Sequence, residues 1–195
     1  LSKVWVGTES IAAALYDVPS NLACCVLGAR RFTLFPPEQI HNLYPGPLEP
    51  TPGGQVITMV DLKNPDFERF PRVRRALEAA VVVDLQPGDA VYYPSMWWHQ
   101  VEALSPFNIM INFWWLRSPA YMGNPMDIVM HAIMGIRDRP EAEKNAWREV
   151  FEYYIFGPAD TPREHLPASI QGALGELDDD SIRRLRALVK NKLNR

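Results

Sequence analysis

The sequence predicts a mainly β fold, a sandwich or barrel, over residues 1–117, with a helical extension over 118–195. Short strand-like runs follow one another with Pro, Gly and Asn turn signals at close spacing, and long helical patterns are scarce in the first part. From Arg117 onward the apolar period becomes helical. The densest stretch, residues 84–99 (D-L-Q-P-G-D-A-V-Y-Y-P-S-M-W-W-H), runs from strand to turn to strand and ends on a histidine.

Val4 to Gly7 reads as the end of a strand, and Ile11 to Asp17 brings the chain back towards the barrel. Asn21 to Leu27 and Arg30 to Phe35 flank Gly28-Ala29 and read as a hairpin. Pro36-Pro37 stops the second strand, and Glu38 to Leu43 predicts one or two helical turns. Tyr44 to Gly54 is a Pro- and Gly-rich surface loop, Val56 to Leu62 a strand candidate, Asn64 to Pro71 irregular, and Arg72 to Ala80 a short helix.

Val81 to Leu85, β-branched and apolar, predicts a strand entering a buried sheet. Pro87-Gly88-Asp89 is a tight turn, Ala90 to Pro94 a second strand, and His99 to Leu104 a third. Asn108 to Leu116 closes the sheet. A histidine beside Trp97 and Trp98 at a strand mouth suits a metal ligand or an acid–base group at an apolar cavity. It equally suits a core histidine bonded to a backbone carbonyl, and the stretch alone leaves both open. Of Trp97 and Trp98, and of Trp114 and Trp115, alternation sends one outward.

In the extension, Pro125 to Ile136, Pro140 to Phe156 and Ser181 to Leu193 each carry a helical apolar stripe. Asp178 to Asp180 precede the last helix and Lys190, Lys192 and Arg195 lie at its end, matching the helix dipole. The stripe over residues 147–155 is wide, which predicts a homodimer through these helices, or packing back on the barrel.

The chain is 47% hydrophobic and 22% charged, a globular composition, with formal net charge −3 and no dense basic patch that would call for nucleic acid. Cys24 and Cys25 are adjacent and so face opposite ways on a strand, which argues against a bridge and fits a reducing, cytoplasmic compartment. Neither a signal peptide nor a membrane-length apolar run is present. Starting at Leu1 directly in strand-like sequence, the chain reads as a fragment lacking an N-terminal part of the barrel.

Five blocks in order carry a family resemblance: L-Y-D at 15–17, R-R-F-T-L-F-P-P at 30–37, N-P-D-F-E-R-F-P at 64–71, P-G-D-A-V-Y-Y-P-S-M-W-W-H at 87–99 and N-F-W at 112–114. Over residues 4–117 the chain resembles the cupin-like branch of the Jumonji-C (JmjC) family, close to the factor-inhibiting asparaginyl hydroxylase group. The resemblance implies a double-stranded β-helix (a cupin or jelly-roll barrel) and an Fe(II)- and 2-oxoglutarate-dependent oxygenase that hydroxylates a protein side chain or small molecule. By position it implies Asp17 and His99 as metal ligands and Asn21, Arg30, Asn112 and Trp114 as the shell around the cosubstrate. An arginine at 30 suits a terminal carboxylate because its fork grips both oxygens. Beside Arg31 it also reads as an ordinary surface arginine, and the hairpin phase set by Asn21 favours the inward reading.

One departure stands out. The family's first ligand is the histidine of an H-Y-D motif, and here that position is Leu15, which has no lone pair to give. The expectation divides three ways: an oxygenase with an unrecognised third ligand, a metal-free cupin-fold binding protein that keeps a small-acid pocket, or a change local to this copy. His41, His131 and His165 are poorly placed by sequence, and Cys25 is either a soft ligand or a small apolar core residue. Ala12 stands where such relatives carry a cosubstrate-binding Thr.

Overall fold

The computed structural model describes residues 1–48 and 54–194 and divides into two compact units, Leu1–Arg117 and Ser118–Arg195. Among its described residues the first unit holds eight strands: β1 (Ser2–Gly7), β2 (Ser10–Tyr16), β3 (Ser20–Leu27), β4 (Arg30–Phe35), β5 (Val81–Leu85), β6 (Ala90–Tyr93), β7 (Trp98–Ala103) and β8 (Asn108–Trp115). They form two four-stranded sheets, ordered β1-β8-β3-β6 and β2-β7-β4-β5, and every ladder is antiparallel. Successive strands alternate between sheets for much of the chain, the mainly β double-stranded β-helix that the motifs implied.

Alternation along the strands sorts the side chains into two clusters. Ala23, Cys25, Phe32, Leu34, Leu85, Val91, Tyr93 and Met110 come from both sheets and form one buried core. Ala14, Tyr16, Phe35 and Trp98 turn the other way and pack beneath Leu43, Val56, Val60, Val73 and Ala76. The second cluster is roofed by α1 (Ile40–Leu43), entered through a 3₁₀ turn at Pro37–Gln39, and by α2 (Val73–Glu78).

Three sequence expectations are corrected here. The segments around Gly28-Ala29 are not a hairpin: β3 pairs with β6 and β8, and β4 with β5 and β7. The Ala29 amide donates to Ser105 Oγ at 2.9 Å and its carbonyl accepts from the Leu104 amide at 2.8 Å. The connection is therefore tied to the chain between β7 and β8 and crosses from sheet to sheet.

Val56–Leu62 is no strand. It touches the sheet through isolated bridges, Leu15 with Ile57 and Pro45 with Thr58. Val81 to Leu85 does not enter a buried sheet but lies at its edge, with Val81 and Val82 exposed. The expected loop over Tyr44–Gly54 lies partly outside the described residues, which omit 49–53.

The second unit contains α3 (Pro125–Gly135), α4 (Glu141–Phe151) continued by a π turn over Glu152–Phe156, and α5 (Asp179–Leu193). The Asn124 side chain caps α3 by accepting from the Met126 amide at 3.1 Å, with Pro125 opening the helix. Asp178 caps α5 in a reciprocal box with Ser181. Ile128, Met134, Ile155 and Phe156 are each more than half exposed in this unit. Among the described residues, no helix is long and apolar enough to cross a membrane.

Candidate ligand cavity between the two sheets

A cavity of about 570 Å³ opens in the first unit, lined by residues from both sheets. Its far wall is the β2–β7 ladder. A register shift between Ala12 and Leu15 resets the alternation of β2, so that Ala14 goes under the helices while Ala12, Leu15 and Asp17 line the cavity. Leu15 pairs with His99 directly across the ladder.

His99 is 6% exposed. Its Nδ1 lies 3.1 Å from the Trp97 carbonyl, an acceptor only, so Nδ1 carries the hydrogen. Its Nε2 lies 3.7 Å from Asp17 Oδ2, and the Trp114 indole N–H donates to the same oxygen at 3.2 Å. Burial pushes the imidazole below its ordinary pKa, opposed by the Trp97 carbonyl and Asp17. The histidine is bonded to a carbonyl on one side and lines the cavity on the other.

The opposite sheet supplies amides and a phenol. Asn112 Nδ2 donates to Asn21 Oδ1 at 2.7 Å, and both residues are buried. The Tyr93 ring packs 4.6 Å from the His99 ring, and burial, then Asp17, drives its hydroxyl far above the ordinary tyrosine range while Asn112 opposes them. Arg30, from β4, is 7% exposed, and its Nε is buried without a hydrogen-bond partner among the described residues. Burial lowers its pKa, with Cys25 opposing. A guanidinium held inside in this way suits an anionic ligand.

The structure thus brings Asp17, His99, Asn21, Arg30, Asn112 and Trp114 to one cavity. Cys25 is not among its lining residues; it sits in the core and its thiol donates to the Gly28 carbonyl at 3.1 Å. Burial raises that thiol's pKa. His41 is exposed on α1 and absent from the lining, while His131 and His165 are exposed residues of the second unit.

Sequence reasoning missed Tyr93, Lys3, Trp5 and Gln55, which also line the cavity. Tyr93 was within reach, because it shares a face with Val91 two residues earlier on β6. Lys3 was not: it faces Asn112 across the β1–β8 ladder, with Nζ 5.8 Å over the Trp114 ring, and no local pattern announces that pairing.

A facial-triad iron needs two histidines and a carboxylate on adjacent corners. Among the described residues, no three His, Cys, Asp or Glu side chains converge to hold a metal. Asp17 Oδ2 and His99 Nε2 stand 3.7 Å apart, and the residue paired with His99 across the ladder is Leu15, which has no lone pair to give. The residues present do not fit that ion.

Residues 1–121 match the model of the cupin-like domain. The chain belongs to the cupin-like domain family. Proteins with demethylase and Jumonji C names are among the curated relatives of this cupin-like chain. It is 36% identical to human HSPB1-associated protein 1 over 115 residues, 58% of this chain and 23% of that protein. It is 33% identical to the Arabidopsis thaliana lysine-specific demethylase JMJ31 over 121 residues, 62% of this chain and 21% of that protein. Its match to the Drosophila melanogaster Jumonji C domain-containing protein 5 is 33% over 114 residues, 58% of this chain and 27% of that protein. The chain thus spans about a quarter of the length of these relatives.

Proposed function

We propose that this cupin-like chain is a metal-free binding module on an oxygenase scaffold, whose cavity holds a small carboxylate-bearing ligand. The observation that carries the reading is Leu15 facing His99 where the H-Y-D motif of the resembling family places a ligand. Arg30, buried with an unpartnered Nε among the described residues, would hold the carboxylate end, and the Asn21–Asn112 pair and Trp114 shape the wall. The alternative, an Fe(II)- and 2-oxoglutarate-dependent oxygenase, draws support from the demethylase and Jumonji C names among the relatives. In it Asp17 and His99 would be two of three protein ligands, and the third is wanting.

Elemental analysis of protein produced with iron supplied, together with succinate formation from 2-oxoglutarate, separates the two. The module reading expects iron well below one per chain and no succinate. Stoichiometric iron with turnover would establish the oxygenase instead.

The same reading gives the second unit a role as a homodimer interface. Its support is the apolar surface on α3, α4 and the π turn, including Met134, Ile155 and Phe156. Sedimentation at micromolar concentration is expected to show a dimer, and Ile155→Glu with Phe156→Glu to yield a monomer.

A further inference from the structure

Two acceptors face each other in the cavity. The Trp97 carbonyl holds the His99 hydrogen on Nδ1, which leaves a lone pair on Nε2. Across 3.7 Å stands Asp17 Oδ2, too far for a hydrogen bond and offset by one indole N–H from Trp114. An ion with its own coordination demands would need a third ligand there, and Leu15 offers none. A group that brings N–H donors needs only acceptors, and two are in place. Elsewhere in the same cavity Arg30 presents a guanidinium whose Nε has no partner.

We propose that the cavity binds an aminocarboxylate, with its ammonium between Asp17 and His99 Nε2 and its carboxylate on Arg30. The inference rests on the metal-free reading above and names the ligand class of that site. Leu15 becomes a contact for the ligand's methylene chain. A dicarboxylate of equal length would bring its second anionic end against Asp17 and the imidazole lone pair, and the cavity selects against it by that repulsion.

Calorimetry on chelator-treated protein, with iron content measured on the same batch before chelation, tests this. The probes are 4-aminobutanoate and its shorter and longer straight-chain homologues, set against glutarate and its own homologues. At least one aminocarboxylate is expected to bind ~10-fold or more tightly than the matching dicarboxylate. Asp17→Asn is expected to remove that preference. A ligand-side measurement guards against a misfolded variant: 4-(trimethylammonio)butanoate keeps the charge but has no N–H, and should lose the advantage on the wild-type protein. Metal-free protein that takes glutarate as well as or better than every aminocarboxylate would overturn this inference alone. So would an unchanged preference in a folded Asp17→Asn protein, or full binding of the trimethylated probe. Stoichiometric iron would overturn the metal-free reading, and this inference with it.

Discussion

Leu15 and His99 are direct partners across the β2–β7 ladder, and both face the cavity. Neighbouring side chains on one sheet face are the natural source of adjacent ligands for one ion. A histidine placed at 15 would stand beside His99 and close to Asp17, completing two imidazoles and a carboxylate. Leu15→His is therefore expected to bind Mn(II) or Fe(II) at least ~10-fold more tightly than wild type, read by calorimetry under anaerobic conditions. Equal affinity in the two proteins would mean that the ladder geometry does not place residue 15 at the missing corner.

Arg30 predicts an exchange of stability against binding. A buried guanidinium with an unpaired Nε is costly when no ligand is present. Arg30→Met keeps an unbranched apolar stem at this position and removes the charge. The variant is expected to gain about 1–2 kcal/mol in chemical unfolding without ligand, and to lose carboxylate binding. A less stable variant would show that the guanidinium is satisfied by water.

Two turn glycines with positive φ should respond differently to alanine. At Gly28 (φ +78°) an added Cβ would lie 2.7 Å from the Phe107 carbonyl oxygen and would also clash with Asn108 Oδ1. At Gly88 (φ +99°) it would meet open space. Gly88→Ala is expected to cost about 1–2 kcal/mol from the backbone alone, and Gly28→Ala about 3 kcal/mol or more. Urea denaturation of both variants measures the gap, and equal losses would contradict the crowding at Gly28.

The start of α5 should be sensitive to acid. The Asp178 carboxylate accepts from the Ser181 side chain and from the Ser181 amide at 2.8 Å, and these bonds hold its pKa below the usual aspartate value. Because the folded form titrates lower than the unfolded one, the cap's contribution is full above the ordinary aspartate pKa of about 4. It is lost as pH falls through the depressed value. Amide exchange at Ser181 and Ile182 is expected to speed up over that range. In Asp178→Ala the same amides should exchange fast at neutral pH and show no such transition.

Much of the site was legible because strand alternation is a local property. Once Asn21 faces inward, Cys25 on the same strand must do so as well, and both are buried. The H-x-D spacing likewise puts Leu15 and Asp17 on one face, and both line the cavity. Arg30 is buried as expected, but the hairpin phase behind that expectation does not exist, since β3 and β4 do not pair. Partner choice is a different kind of information. Alternation says which face a residue takes and nothing about which strand lies alongside, so β3 and β4 read as a hairpin although they belong to different sheets. Lys3 became a cavity residue only when β1 met β8, more than a hundred positions away in sequence. The valines of β5 read as buried because β-branched residues favour strands on either face, including the exposed edge.

The cavity's polar groups are divided between two sheets that share no ladder: Asn21, Tyr93, Asn112 and Trp114 on one, Arg30 and His99 on the other. Any ligand that reaches from Arg30 to Asn112 is therefore a crosslink, joining strands the backbone leaves unjoined. Occupancy would damp the breathing of one sheet against the other, and protection from exchange would rise in β4 and β8 together though they never pair.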